Sequence, residues 1–412
     1  MRRVVVTGLG AVTPLGNDAA STWESLLHGR SGIAPITLFD ASAFEVQIAG
    51  EVKDFQPEEW VPPKELRRMD RSAQMGVVAA LQAVRDSCLS IEEDSGEQVG
   101  VIFGSGAGGY GLLLEQQKVL EEKGYRRVSP FLISHILPDA ASGHIAIELG
   151  ATGPNMGVIS ACATGTGATG EAWETIRRGD AEAMIAGGCE APLLPVLWAG
   201  FHALRALADD KEDPARACKP FDRRREGFVV GEGAAALLLE SLEHAQARGA
   251  RIYAEMAGYG SSNDAFDMVA SHESGRGPIL CMEMALRKSG LPREDVDYVN
   301  AHGTGTPLND RVETLAVKQV FGEHAYRLAV SSTKSMTGHL MGAAGALEAL
   351  ISVLAVRDQV LPPTVNYAER DPDCDLDYVP NEARRARVRV AMSNSVGLGG
   401  HNATVMFKEF ES

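Results

Sequence analysis

Three positions in this chain pair a reactive side chain with a glycine-rich stretch directly after an apolar run. Residues 158–170 read V-I-S-A-C-A-T-G-T-G-A-T-G and deliver Cys162 to the start of a segment made almost wholly of Ala, Gly and Thr. Residues 299–306, V-N-A-H-G-T-G-T, set His302 where a strand ends; residues 331–339, S-S-T-K-S-M-T-G-H, set Lys334 and then His339 at the entry to a second small-residue stretch. The first composition predicts a strand ending in a sharp turn, with Cys162 in the first turn of a buried helix running to about Arg178. The free N–H groups and positive dipole end of that helix favour a thiolate. Taken singly, each residue has a blander reading: free cysteine is often buried and inert, and a lone histidine is commonly a hydrogen-bonded core residue. Taken together they describe a chemistry. A cysteine attacks a thioester and imidazoles donate to an oxygen on which negative charge develops, so the set points to acyl transfer through a thioester.

Elements able to position such a set are written along the whole chain. The opening V-V-V-T-G-L-G-A-V reads as a buried strand and glycine-rich turn before a helix near 19–28; 67–86 carries Met69, Ala73, Val77, Ala80 and Val84 at helical spacing. Strands follow at 99–104, 182–188 and 231–240, with a helix at 241–249. The plan then begins again, with helices at 278–289 and 312–321, strands at 296–301 and 328–332, and a long small-residue helix at 338–356. Two final strands are separated by a glycine hairpin. Strands alternating with helices predict an α/β fold. The repeated order predicts two similar halves, 1–250 and 251–412, with one small-residue helix from each packed between two sheets. One stretch, G-S-G-A-G-G at 104–109, also matches G-x-G-x-x-G. A dinucleotide site there lacks the acidic residue that should close a second strand, and the other reading is a tight turn lining a pocket.

Composition narrows the function class. With 412 residues, 45% hydrophobic and 23% charged, the chain has ordinary globular composition. A formal net charge of -16 argues against general nucleic-acid binding. The six cysteines show neither C-x-x-C spacing nor a dense framework, which fits reduced thiols rather than structural zinc or a disulfide scaffold. The first residues lack a signal-peptide apolar core, and no charge-free apolar stretch approaches the length of a membrane span. A cytoplasmic protein without membrane insertion is expected.

Four ordered motifs then carry a family resemblance: A-C-A-T-G around Cys162, N-A-H-G-T-G-T around His302, S-T-K-S-M-T-G-H ending at His339, and S-N-S-V-G-L-G-G-H-N near the end. Together they resemble the β-ketoacyl-[acyl-carrier-protein] synthases, nearest the type II elongating enzymes, over essentially the whole chain. The resemblance implies a thiolase-like α-β-α-β-α fold, usually a homodimer, and a decarboxylative Claisen condensation that requires no metal or redox cofactor. It implies that Cys162 takes an acyl group from acyl carrier protein, and that His302 and His339 donate through Nε2 to the enolate formed from malonyl carrier protein. The backbone N–H groups of Cys162 and Leu398 would form the oxyanion hole. Lys334 would position His339 and order charge with Glu348, and Asp310 would orient the turn after His302.

The chain departs from the family pattern where the acyl group would lie. Val396 and Leu398 stand where relatives carry phenylalanines, the second of them a gate, and Ala107 stands where an isoleucine commonly floors the acyl pocket. These changes keep open an alternative: the catalytic ketosynthase of a type II polyketide or polyene pathway, paired with a noncatalytic homologue in a heterodimer. Retention of Cys162, His302 and His339 argues against a noncatalytic scaffold subunit, and the two-histidine pattern argues against a degradative thiolase. Because the carrier is acidic, a local basic docking face is expected from Lys64, Arg67 and Arg68, then Arg126 and Arg127, with Arg205 by family analogy; the plainer alternative is a set of solvated surface charges.

Overall fold

Each half of the chain builds the same five-stranded unit. In the computed structural model, which describes residues 1–91 and 95–411, the first unit consists of β1 (Val4–Val12), β2 (Val99–Gly104), β3 (Asn155–Met156), β4 (Ala183–Glu190) and β5 (Gly233–Ser241). The second consists of β6 (Ala254–Asn263), β7 (Tyr298–Asn300), β8 (Ala329–Ser331), β9 (Val390–Gly397) and β10 (His401–Lys408). Their order across the sheet is β8-β7-β9-β10-β6-β1-β5-β4-β2-β3. Each unit therefore runs third, second, fourth, fifth, first from its outer edge inward. In both, the last three strands of that order are linked by antiparallel pairings and the outer three by parallel ones.

Where two separate sheets are expected, the two units are joined into one, β1 and β6 meeting through Val4↔Met256, Val5↔Glu255 and Val6↔Ala254. Both first strands face each other at an edge, and the pairing satisfies backbone groups that would otherwise be left open. β1 and β5 are buried at every position, which explains why V-V-V-T-G-L-G-A-V and G-A-A-A-L-L-L-E-S read as near-continuous small and apolar runs instead of alternating.

Helices fill three layers around these units. α1 (Arg71–Ser87), capped by the Asp70 carboxylate accepting from the Ser72 and Ala73 N–H groups, covers the outer face of the first unit. α2 (Thr164–Arg178) lies between the units; α3 (Arg276–Ser289) and α4 (Pro307–Phe321) cover the second; α5 (Ala344–Asp358) returns to the centre beside α2. The outer helices approach their strands at glycines. A Cβ on Gly8 or Gly10 of β1 would lie 2.0 or 1.9 Å from carbonyl oxygens of α1, and one on Gly258 or Gly260 of β6 would lie 2.4 or 2.0 Å from carbonyl oxygens of α3. This matched glycine pair gives the internal repeat a residue-level basis.

The central helices need small residues for the same reason. A Cβ on Gly165 would come within 2.5 Å of the Ala346 nitrogen, and one on Gly345 within 2.1 Å of the Thr166 hydroxyl. Around this crossing lies a core that includes Trp173, Leu347, Leu350, Ile351 and Leu354. Each such large side chain contributes about 1.5–3 kcal/mol by leaving water.

Two expected boundaries move. The strand before Cys162 is only Asn155–Met156, and residues 157–160 are irregular. The second central helix starts at Ala344 rather than near 338, because positive φ at Gly338 (70°) and Met341 (48°) turns the chain first.

Candidate active site

Cys162 sits in a 3₁₀ turn, Ala161–Ala163, that leads directly into α2. The turn depends on Ala161 holding φ 50°, a left-handed conformation costly for a residue with a Cβ. Thr164 fastens it, its hydroxyl accepting from the Ser160 N–H at 2.9 Å. From the other unit, the end of β9 closes on the same turn. A Cβ on Gly397 would lie 3.1 Å from the Cys162 nitrogen, so glycine there lets the backbone approach. The next N–H, that of Leu398, faces the cysteine sulfur. The helix start does not yield a resting thiolate, contrary to expectation: burial pushes the thiol up to about 11, against the opposing pull of Lys334 and the Leu398 N–H. Cys162 rests as a thiol.

His302 stands just past the end of β7 and His339 past the short helix Lys334–Thr337 that follows β8, and the two meet edge to face, ring centroids 5.2 Å apart at 85°. Both are buried, at 3% exposure each. Burial first, then the positive charge of Lys334, holds both imidazoles well below the ordinary histidine value, so both are neutral at pH 7. Their tautomers follow from what faces Nδ1. Nδ1 of His339 accepts from the Met341 N–H at 3.3 Å, and Nδ1 of His302 accepts from Lys334 Nζ at 3.4 Å. The proton of each ring therefore sits on Nε2. Lys334 thus orients His302, whereas the expectation assigned it to His339. It follows β8 immediately and lies beside β7, while the reversal at Gly338 carries His339 away to its own backbone donor.

Buried carboxylates hold these loops. Lys334 is paired with Glu348 of α5, whose carboxyl burial pushes up to about 7 despite that partner. Asp310 of α4 accepts from the Gly305 N–H at 3.2 Å and the Phe221 N–H at 2.7 Å, which places it on the turn after His302. Two further carboxylates are absent from the sequence reading. Glu313, one turn on from Asp310, accepts from the His302 and Gly303 N–H groups at 2.7 and 2.8 Å, with burial pushing it up to about 7. Glu190, at the end of β4, accepts from Ser105, Gly106, Ala107 and Gly342. Only the position of Glu313 in A-H-G-T-G-T-P-L-N-D-R-V-E, three residues after Asp310 on an otherwise apolar helix face, hinted at either.

The Glu190 contacts also decide the glycine motif at 104–109. Its loop N–H groups are already occupied by an internal carboxylate, which excludes a dinucleotide phosphate there.

Cys162, His302, His339, Val396 and Leu398 line one cavity of about 270 Å³, with Phe201, Phe228 and Met341 among its apolar walls. Ala107 does not line it. Its N–H is turned to Glu190, and its neighbour Gly106 is the residue that faces the carbonyl of Ala161. Of the basic residues, Lys64, Arg67, Arg126, Arg127 and Arg205 are exposed and Arg68 is half-buried. Arg68 lies over the Phe131 ring at 5.2 Å, bringing the Arg67–Arg68 turn beside the segment that follows Arg126 and Arg127. Arg205 follows Leu204, which lines the cavity containing Cys162. Among the described residues, no group of three or more His, Cys, Asp or Glu side chains is arranged to hold a metal ion, and no helix is long and apolar enough to cross a membrane.

A duplicated five-layer fold with a cysteine on one central helix is the architecture of the thiolase-like ketosynthases. The ishigamide ketosynthase/chain length factor superposes with a TM-score of 0.91 at 38% identity, covering 100% of both chains. A type II polyketide ketosynthase, solved in complex with its acyl carrier protein, superposes at 0.90 and 33% identity, covering 99% of this chain and 100% of that one. Residues 1–245 match the beta-ketoacyl synthase N-terminal domain and residues 253–368 the beta-ketoacyl synthase C-terminal domain. The chain belongs to the β-ketoacyl synthase family. It is 50% identical over 411 residues to 3-oxoacyl-[acyl-carrier-protein] synthase 2 of Staphylococcus aureus, covering 100% of this chain and 99% of that protein.

Proposed function

We propose that this chain elongates fatty acyl groups by two carbons, condensing an acyl group held on Cys162 with malonyl-acyl carrier protein. One observation carries the reading: a half-buried cysteine and two imidazoles that both present Nε2–H share a single apolar-walled cavity. In the first step the Cys162 sulfur attacks the acyl thioester, the N–H groups of Cys162 and Leu398 receive the oxyanion, and the carrier leaves as its thiol. Malonyl carrier protein then enters. Loss of carbon dioxide moves its electron pair onto the thioester oxygen, where the Nε2–H groups of His302 and His339 donate. The enolate carbon attacks the acyl-Cys162 carbonyl, the carbon–sulfur bond breaks, and the sulfur is reprotonated to the resting thiol.

The supporting residues keep these donors fixed: Lys334 with Glu348 at His302, and Asp310 at the turn that follows. Val396 and Leu398 shape the acyl site, Leu398 as a gate smaller than an aromatic ring; Ala107, expected at the floor of that site, stands outside the cavity with its N–H on Glu190. Residues 1–250 and 251–412 act as two halves, one giving the nucleophile and the other both histidines. Lys64, Arg67, Arg68, Arg126, Arg127 and Arg205 attract the acidic carrier. A homodimer accords with the two-residue edge strand β3 and the exposed Ile147, Met156 and Ile159 around it. A cytoplasmic location goes with six free thiols.

The alternative, a polyketide ketosynthase paired with a homologous subunit, draws on the aliphatic residues at 396 and 398. Identity of 50% to the fatty-acid enzyme, against 33% and 38% to the two ketosynthase structures above, favours fatty-acid elongation. The test is intact mass after incubation with acyl carrier proteins bearing saturated and polyene chains. The wild type gains one acyl group from saturated carriers, and Cys162→Ala gains none. An acyl adduct on Cys162→Ala would overturn the nucleophile, and preference for polyketide-like acyl groups would overturn the pathway.

A further inference from the structure

The 3₁₀ turn of Met341–Ala343 and the helix after it repeat the turn and helix at Cys162. Met341 holds φ 48° where Ala161 holds 50°, and each turn opens a 15-residue helix. Gly342 is therefore the internal counterpart of Cys162. The strands that close on the two turns also correspond, since β4 and β9 are each eight residues long and end at Glu190 and Gly397. Gly397 has no side chain and leaves the Cys162 N–H facing the cavity. Glu190 instead sends a carboxylate onto the Gly342 N–H, at 3.0 Å.

That carboxylate is 1% exposed and its acceptor sites are used from two separate segments. Oε1 takes the Ser105 hydroxyl at 2.8 Å and the Ala107 N–H at 3.1 Å; Oε2 takes the Gly106 N–H at 2.7 Å and the Gly342 N–H. Burial raises this carboxyl above the ordinary carboxylate value and the four donors pull it back; four donors on two oxygens leave no natural place for a carboxyl proton, so the geometry is that of an ionised group. A Cβ on Gly342 would lie 2.6 Å from both Oε2 and the Gly106 nitrogen, which fixes glycine there. On one side, the clamp reaches the loop whose Gly106 abuts the carbonyl of Ala161. On the other, it reaches the turn whose Met341 N–H is the donor to Nδ1 of His339.

We propose that Glu190 is a positioning residue of the condensation, a built-in anion that occupies the counterpart of the oxyanion site and locks the Cys162 turn to the turn that sets the His339 tautomer. Its charge acts on the nucleophile as well as its contacts. The ionisable groups around Cys162 are Lys334, Glu190 and the two neutral imidazoles; the negative Glu190 opposes thiolate formation while Lys334 favours it.

The role deepens the function proposed above and rests on Cys162 as acyl acceptor. The test compares wild type, Glu190→Gln and the milder Ser105→Ala in two assays: malonyl carrier decarboxylation with condensation, and the pH profile of Cys162 alkylation by iodoacetamide. Glu190→Gln presents an amide NH₂ to backbone donors, so condensation and decarboxylation are expected to fall at least about 10-fold. Loss of the negative charge moves the alkylation midpoint to lower pH. Alkylation at neutral pH then rises, since the gain in thiolate outweighs its lower nucleophilicity. Ser105→Ala, which removes one donor to Glu190 and the acceptor of the Gly108 N–H, gives a condensation loss of about 3-fold and keeps the proposal testable should Glu190→Gln fold poorly. A merely structural role lowers the assays together and leaves the alkylation midpoint where it was; that result, or unchanged condensation in both variants, overturns the proposal. A wild type that forms no acyl-enzyme would instead sink the parent reading.

Discussion

The turns at Cys162 and Gly342 have the same backbone and opposite fates. Each follows a residue in the left-handed region and opens a 15-residue helix, and each helix carries glycine at the crossing, Gly165 and Gly345. One turn keeps its N–H open to an apolar cavity, while the other has its N–H sealed by Glu190. Further along, Ala168 of α2 corresponds to Glu348 of α5, which reaches Lys334 and through it His302. One copy of the unit mounts Cys162, the proposed nucleophile, and the other carries Glu348, which pairs with Lys334. Symmetry supplies the scaffold here, and a few side chains supply the chemistry.

Making the turns alike is the strongest way to break this contrast. Cys162→Gly is expected to lose at least about 10⁴-fold in condensation rate while keeping its thermal midpoint, as removal of a nucleophile does elsewhere; a midpoint that collapses would show that Cys162 is structural. Removing the charge that distinguishes the second copy comes next. Lys334→Ala leaves Glu348 buried without its partner and should cost about 3–5 kcal/mol in urea unfolding, more than Lys334→Ala paired with Glu348→Gln. The glycines shared by both copies provide a matched pair of smaller effects: Gly165→Ala and Gly345→Ala each force the helices apart and are expected to destabilise by about 1–3 kcal/mol. Unequal costs would locate the tighter side of the crossing. Smallest is the surface term, where charge reversal at Arg67 and Arg68 together should raise KM for carrier-bound substrate about 10-fold and leave a small thioester substrate unaffected. Equal losses on both substrates would reduce those arginines to solvated charges.

Much of this was legible in the residues. Cys162, His302 and His339 stand out in the sequence because a reactive side chain beside a glycine-rich stretch is a rare juxtaposition, and the fold brings all three to one cavity; the repeated order of strands and helices anticipated the duplicated α/β fold. The parts that escaped were those decided by distant backbone. Glu190 looks like an ordinary acidic residue closing a strand, since its four partners lie on loops at 105–107 and at 342 that no local pattern links to it. Glu313 escaped similarly, as a charge on a helix that reads as solvated until the His302 loop folds over it. Lys334 was assigned to the nearer histidine in sequence, but it lies beside the histidine on the adjacent parallel strand. The thiol of Cys162 was expected to be acidified at a helix start, yet burial outweighs the helix end and raises it.

The glycine-lined crossing of α2 and α5 also bears on how the chain folds. At the contact, Gly165 and Gly345 leave hollows that are filled from the central helix of the other half, by Ala346 and by Thr166. A half folded alone would leave its central helix with one face against water and its first strand with an unpaired edge at residues 4–6 or 254–256. The halves therefore gain most of their stability together, and unfolding is expected as one cooperative transition rather than two. In hydrogen exchange, the amides of α2 and α5 should open only with the whole molecule and share the slowest rates, although the helices belong to opposite ends of the chain.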